Sequence, residues 1–216
     1  CEYQNSSEFS GRSVAVIGEG NSGAQILAEV APHTSRVLWI TKEEPTFYRD
    51  NVDGRILFDQ AHTWRQALKT GASVPQFRFS SVVMLPAVKK ARDEGVFNNR
   101  MPPPSRFVAD GLEWDSNPIV DQCAKELQLR ECTNGRYKAS IDSIIWCTGF
   151  SPALDHMKAL IPNPPGETFM NGQSKTNPFL WFVGYGDWCG YGSGSISVAS
   201  WFAGDAVKNL SRMLKG

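Results

Sequence analysis

Near the start of the chain, Gly18-Glu19-Gly20-Asn21-Ser22-Gly23 has the residue types and spacing to hold a phosphate. In a Gly-x-Gly-x-x-Gly turn between a strand and a helix, each glycine has its own job. The first permits the tight turn, the second removes a side chain so that a pyrophosphate can approach the backbone, and the third lets helix and strand pack closely. Free N–H groups at the helix start and the helix dipole then attract the anion. Asn21 and Ser22 stand at that start, where short polar side chains cap well. Alone the pattern is weakly specific, and its flanks decide what it means.

The flanks are of the required kind. Arg12 to Ile17 is a short β-branched run ending in the glycines and reads as a buried strand. Ala24 to Ala31 follows with helical spacing and stops near Pro32, and Arg36 to Thr41 reads as a second buried strand. This order is a βαβ unit and implies a parallel sheet. A dinucleotide site is therefore predicted at Gly18, Gly20, Asn21, Ser22 and Gly23, the alternative being a tight turn that holds no ligand. NAD sites place Asp or Glu at the end of the second strand, whereas a site for a 2′-phosphate lacks that acid and supplies basic groups. Here the strand ends Trp39-Ile40-Thr41-Lys42, and Arg49 and Arg55 follow. The expectation is NADPH over NADH, with Thr41 and Lys42 in the site. Glu43 and Glu44 oppose it, and a solvated loop charge is the alternative for Lys42.

The remaining elements must position this turn. Residues 43–56 are polar and irregular. Leu57 to Lys69 has apolar or aromatic residues at 57, 58, 61, 64 and 68, a helical stripe, and Ala87 to Gly95 reads as another helix. Met101 to Pro104 is a loop, Arg106 to Trp114 a strand and turn. Tyr137 to Trp146 reads as a hairpin or strand pair with Ile141 to Trp146 as the buried partner. A proline-rich connecting loop spans 151–177. Phe179 to Val183 reads as a strand running into Gly184-Tyr185-Gly186-Asp187, and Ser193 to Leu214 as a long final helix.

Composition removes several function classes. With 22 basic and 22 acidic residues the formal net charge is 0, which argues against a nucleic-acid partner. There is no run of 18 apolar residues, so no membrane helix is expected, and a cytoplasmic location is. The five cysteines include no CxxC pair and their number is odd, which fits a reducing compartment. The scattered histidines offer no metal-ligand spacing, and no metal is expected. Ser193, Ser195 and Ser197 lie in a glycine–serine run without the nucleophile-elbow pattern of a hydrolase. The chain opens on Cys1 in a polar stretch that reads as the middle of a longer chain.

Three motifs carry a resemblance. Tyr3, then Phe9-Ser10-Gly11-Arg12, then Val14 through Gly23 resembles the beginning of the NADPH domain of flavin-containing monooxygenases. Ile144-Ile145-Trp146-Cys147-Thr148-Gly149-Phe150 resembles the strand and hinge by which such enzymes return to their FAD domain. Leu180 through Asp187 resembles the strand and Gly-Asp that lie against FAD. The stretch Gly184 to Trp188 is also similar to the arsenic-associated branch of these enzymes. The resemblance implies a Rossmann-like α/β fold: a linker over 1–10, a three-layer NAD(P)H-binding domain with a parallel sheet over 11–146, and a hinge with the C-terminal part of a split FAD-binding domain over 147–216. It implies FAD and NADPH as cofactors, with Thr148, Gly149, Gly186 and Asp187 near the flavin nucleotide. It implies hydride transfer from NADPH to flavin and then oxygenation of a small molecule by dioxygen, the organic chemistry belonging to the cofactor. Its substrate and catalytic residues are not indicated, and a homodimer is an open possibility. No second Gly-x-Gly-x-x-Gly occurs, so the resemblance also implies a partial chain that alone neither holds FAD tightly nor turns over.

Bland roles stand beside the chemical ones. Trp188 and Tyr191 are either flavin neighbours or core. Cys147 and Cys189 are either redox-active or inert buried thiols, the second favoured, and His62 and Trp64 either approach the nicotinamide or serve packing, the second favoured. Two other functions remain: a disulfide reductase of the thioredoxin-reductase type, disfavoured by the missing CxxC, and a non-catalytic NAD(P)-binding module.

Overall fold

Ser13–Ile17 (β1) buries its three middle side chains and leads through the glycine turn into Asn21–Val30 (α1) and then Arg36–Ile40 (β2). The computed structural model describes residues 3–75, 81–132, 135–159 and 169–215. β1 and β2 run parallel, pairing Ser13 with Arg36 through Ile17 with Ile40. Arg100–Met101 (β3) adds beyond β2, and Ser143–Trp146 (β8) lies on the other side of β1, also parallel. The sheet order is β3-β2-β1-β8. The chain thus leaves β1 toward β2 while β8 flanks the opposite side. In open α/β sheets, ligands bind outside the carboxyl ends of the strands at such a reversal.

Alternation along the strands sends side chains to two faces. Val14, Val16, Val37, Trp39 and Ile145 join a core with Ala24, Leu27, Ala28 and Val30 of α1 and with Val88 and Ala91 of Pro86–Asp93 (α3). Ala15, Leu38, Ile40 and Met101 face the other way, onto Leu112, Trp114, Val120, Ala124 and Ala139. These belong to a four-stranded antiparallel sheet, ordered β4-β5-β7-β6, and to α4. The strands are Arg106–Val108 (β4), Gly111–Asp115 (β5), Arg130–Cys132 (β6) and Arg136–Ser140 (β7), and the helix is Pro118–Glu126 (α4). The third layer is therefore mostly sheet.

Several expectations are corrected. Residues 137–146 are no hairpin: β7 pairs with β5 and β6, whereas β8 pairs with β1. Asp142 makes the crossing, its carboxylate accepting from the Ser13 N–H at 2.8 Å, and β8 gains a parallel neighbour that buries Ile145. Met101 belongs to β3, not to the loop. α4 and β6 went unread, although Asn117 accepts from the N–H groups of Ile119 and Val120 and Pro118 opens the helix, a legible start signal.

The chain divides into two compact units: Cys1–Asp53 with Arg78–Gly149, and Gly54–Phe77 with Phe150–Gly216. The stretch read as one piece over 11–146 is interrupted, because Arg55–Thr70 (α2) groups with the second unit. There Arg65 holds Asp205 of Ile196–Met213 (α5) through a two-pronged bond at 3.1 and 3.2 Å and lies over the Trp201 ring. Trp64 packs on Tyr191 and Phe202 and His62 meets Trp201 edge-on, which are packing roles. The expected strand at 179–183 is reduced, among the described residues, to one bridge between Trp181 and Gln173 of the short hairpin formed by Phe169–Met170 (β9) and Gln173–Ser174 (β10). That hairpin lies inside the expected loop of 151–177, whose residues 160–168 are outside the described set. Among the described residues, no helix is long and apolar enough to cross a membrane.

Candidate functional site

The glycine turn stands at the carboxyl ends of β1 and β8, and its geometry separates the three glycines. Gly18 has φ +127°, and a Cβ there would lie 2.2 Å from the carbonyl oxygen of Cys147. A Cβ on Gly23 would lie 2.0 Å from the carbonyl oxygen of Gly18, so α1 closes on the turn only without a side chain. Gly20 differs: it is the N-cap of α1, and among the described residues no atom beyond its chain neighbours stands within 4 Å of where its Cβ would be. Two glycines serve the packing and the middle one leaves open space at a helix start. The turn is fixed from behind by the Trp39 indole N–H, which donates to the Gly18 carbonyl at 2.9 Å, and by the Gly18 N–H, which donates to Ile40 at 2.9 Å.

Neither Asn21 nor Ser22 caps the helix, contrary to expectation, and α1 has no side-chain cap. Asn21 is spent elsewhere: its Oδ1 accepts from the Val83 N–H at 2.7 Å and its Nδ2 donates to the Ser81 carbonyl at 3.2 Å. Ser22 is exposed. An uncapped helix start beside an open glycine is a cradle with backbone N–H donors and a favourable dipole, and it fits a pyrophosphate.

At the tip of β2, Thr41 is buried, and its hydroxyl accepts from Arg100 Nη1 at 3.1 Å. The exposed Lys42 offers its side chain to solvent, while its backbone N–H donates to Oε2 of Glu19 at 3.2 Å. Reading along β2 missed both Arg100 and Glu19. The only signal for Glu19 was its place between two glycines, which ties its backbone to the same end of the sheet.

Thr148 and Gly149 follow β8 after Cys147, at the carboxyl edge that carries Gly18, and both are exposed; Gly149 has φ +85°. Burial raises the Cys147 thiol above its ordinary range. Tyr3 and Phe9 stack at 5.9 Å against the helix-side core.

Gly186 and Asp187 lie in the second unit, where Gly186 takes φ +100°. Asp187 is exposed, and its Oδ1 accepts from the Gly192 N–H at 3.1 Å, while Ser193 donates to the Gly186 carbonyl at 2.6 Å. Ser195 caps α5 by accepting from the Val198 N–H. This holds a carboxylate beside a glycine-rich loop before a helix, an arrangement that fits hydroxyl groups of a nucleotide. Trp188 packs on Phe169, Phe182 and Tyr185, a core placement. Burial pushes the Cys189 thiol up to about 11. Among the described residues, no cluster of metal-ligating side chains occurs.

The chain is 34% identical to a double mutant of a flavin monooxygenase from Stenotrophomonas maltophilia, with a TM-score of 0.71 over 98% of this chain and 54% of that one. The flavin-containing monooxygenase of the same organism gives 33% identity and a TM-score of 0.67 over 98% of this chain and 53% of that one. A human dimethylaniline monooxygenase (N-oxide-forming) 6 is 26% identical over 171 residues, which is 71% of this chain and 31% of the human protein. No protein-family model matches. The chain spans about half the length of the bacterial proteins and about a third of the human one.

Proposed function

The chain is flavin-monooxygenase-like, and on that premise we propose that it forms the nicotinamide-dinucleotide-binding part of an FAD-dependent oxidoreductase that oxygenates a small molecule. The observation that carries the proposal is the division of labour in the turn: Gly18 and Gly23 are closed by backbone while Gly20 opens on an uncapped helix start. FAD bound in the whole protein supplies the oxygen chemistry, and NADPH, the donor that the resemblance implies, supplies the hydride.

This chain's own residues bind and orient. The N–H groups at the start of α1 hold the pyrophosphate, and the tip of β2 receives the adenosine ribose. Thr148 and Gly149 leave the sheet at the same edge, and among the described residues no atom beyond its chain neighbours lies within 4 Å of a Cβ at Gly149. Asp187, fixed by the Gly192 N–H, accepts from hydroxyls of the flavin nucleotide. A reducing, cytoplasmic setting and a homodimeric assembly belong to the same proposal. The test is oxygen uptake by the FAD-loaded parent protein. Consumption of NADPH and dioxygen that rises with an added sulfide, amine or ketone is the expected result. NADPH-dependent reduction of a disulfide without oxygen uptake would overturn it.

A further inference from the structure

In the second unit, α2 and α5 lie side by side and run the same way. His62 meets Trp201, Trp64 meets Phe202 and Arg65 holds Asp205, so the numbers rise together along both helices. Their carboxyl ends therefore stand at the same end of the unit, where a cleft of about 590 Å³ opens. Asp205, Lys208 and Arg212 line it from α5, spaced as one helical face requires, and Leu68 and Lys69 line it from α2. The β9–β10 hairpin closes another side. Asn171 and Gly172 take φ +52° and +85°, the tight turn that Asn-Gly favours, and Met170 pairs directly with Gln173 on the cleft. Lys208 lies about 20 Å along α5 from the Ser195 cap. We propose that this cleft binds a small organic anion, a carboxylate or phosphate carried on a flat apolar body, a reading that does not rest on the glycine turn.

The cleft stays positive after its internal pair is discounted. Arg65 and Asp205 neutralise one another, the guanidinium reaching both carboxylate oxygens at 3.1 and 3.2 Å. Lys69, Lys208 and Arg212 are exposed, and among the described residues none of them forms an ion pair. Cations in a last helical turn answer the helix dipole, and Lys69 and Arg212 stand in such turns. That role does not use up all the charge. A helix end is equivalent to about half a negative charge, so two ends offset about one cation and about two remain for a ligand. The rest of the lining suits an apolar body. Phe202 is buried beneath the cleft and Met170 is 65% exposed at its rim. The Trp181 indole N–H is spent on the Pro178 carbonyl at 3.1 Å, so its ring is what a ligand meets. A volume of this size holds one small molecule.

Three probes of the same ring system separate charge from apolar burial. Naphthoate, naphthyl phosphate and the neutral naphthamide are titrated calorimetrically onto the full chain and onto a Lys208→Gln/Arg212→Gln double variant. Both substituted side chains are exposed, so the variant should keep its thermal midpoint within a few degrees. At least one anion should saturate the unsubstituted chain and bind about tenfold or more tighter than the amide, and the tighter of the two anions identifies the headgroup. The double variant should weaken that anion about tenfold and leave the amide unchanged. Amide and anions binding equally would overturn the electrostatic part of the site, and with it the proposal. So would an anion affinity that the double variant leaves unchanged, since the anion would then be held elsewhere. Absence of saturable binding by both anions at millimolar concentration would overturn it as well. A Trp181→Ala variant, expected to weaken all three probes alike, checks that the ring contributes the apolar contact; unchanged affinities there would contradict that assignment.

Discussion

At the scale of single residues, the three glycines of the turn make different demands and predict different mutants. Gly23→Ala places a methyl group against the Gly18 carbonyl, at a separation of 2.0 Å before relaxation. Helix and strand must separate, and a loss of about 2 kcal/mol or more is expected in denaturant unfolding. An unchanged midpoint would contradict the closed packing of α1 on β1. Cys189 makes a prediction about pH. Its thiol is raised from 9.0 to about 11 by burial, so between those values the folded chain keeps a proton that the unfolded chain has released. Stability should therefore fall as pH rises through that window, and Cys189 should resist alkylation until the second unit unfolds. Rapid labelling of the native chain near pH 8 would contradict this. The sequence made the glycines legible through their spacing. It hid the roles of Asn21 and Glu19, because both are decided by what the folded chain brings near: the 81–83 segment for one, the Lys42 N–H for the other.

At the scale of elements, a start signal did not decide which helices were readable: α2 was legible from its stripe alone, whereas α4 was not, despite Asn117 and Pro118 at its start. Ser195 caps α5 as its position before the apolar run implies, and Ser195→Ala should cost about 1 kcal/mol in the unfolding of the second unit. No change there would mean that the cap bond to Val198 contributes nothing. α2 exists as its stripe predicts, yet Leu57, Phe58 and Leu68 stay substantially exposed and only Ala61 and Ala67 are buried. Short strands were the weak point. β7 and β8 are separated by two residues, the arrangement of a hairpin, and nothing local says that they enter different sheets. The partner of a strand is a property of the fold, and for β8 it is a strand 125 or more residues earlier in the chain.

At the scale of the whole molecule, βαβ order and parallel pairing were legible, since a glycine turn between two buried strands admits few topologies. The antiparallel layer behind the sheet was legible only in part: the expected strand and turn over Arg106 to Trp114 hold β4 and most of β5, while β6 is short and mostly exposed and the partners of β7 are set by the fold. The grouping of α2 with the C-terminal residues was not legible, since it depends on Arg65, Asp205 and the ring of Trp201. The central claim is that the open side of the turn holds a nicotinamide dinucleotide. Calorimetric titration of NADPH, with NADH in parallel, onto the full chain and onto Gly20→Asp tests it directly. Asp is a preferred N-cap, and its Cβ meets no atom of the described residues within 4 Å, so the variant should fold with α1 intact while setting a carboxylate where the pyrophosphate would lie. The account predicts saturable binding to the unsubstituted chain, a thermal midpoint raised by ligand through mass action, and loss of both in Gly20→Asp. Equal binding by the two proteins, or none by the unsubstituted chain, would contradict it.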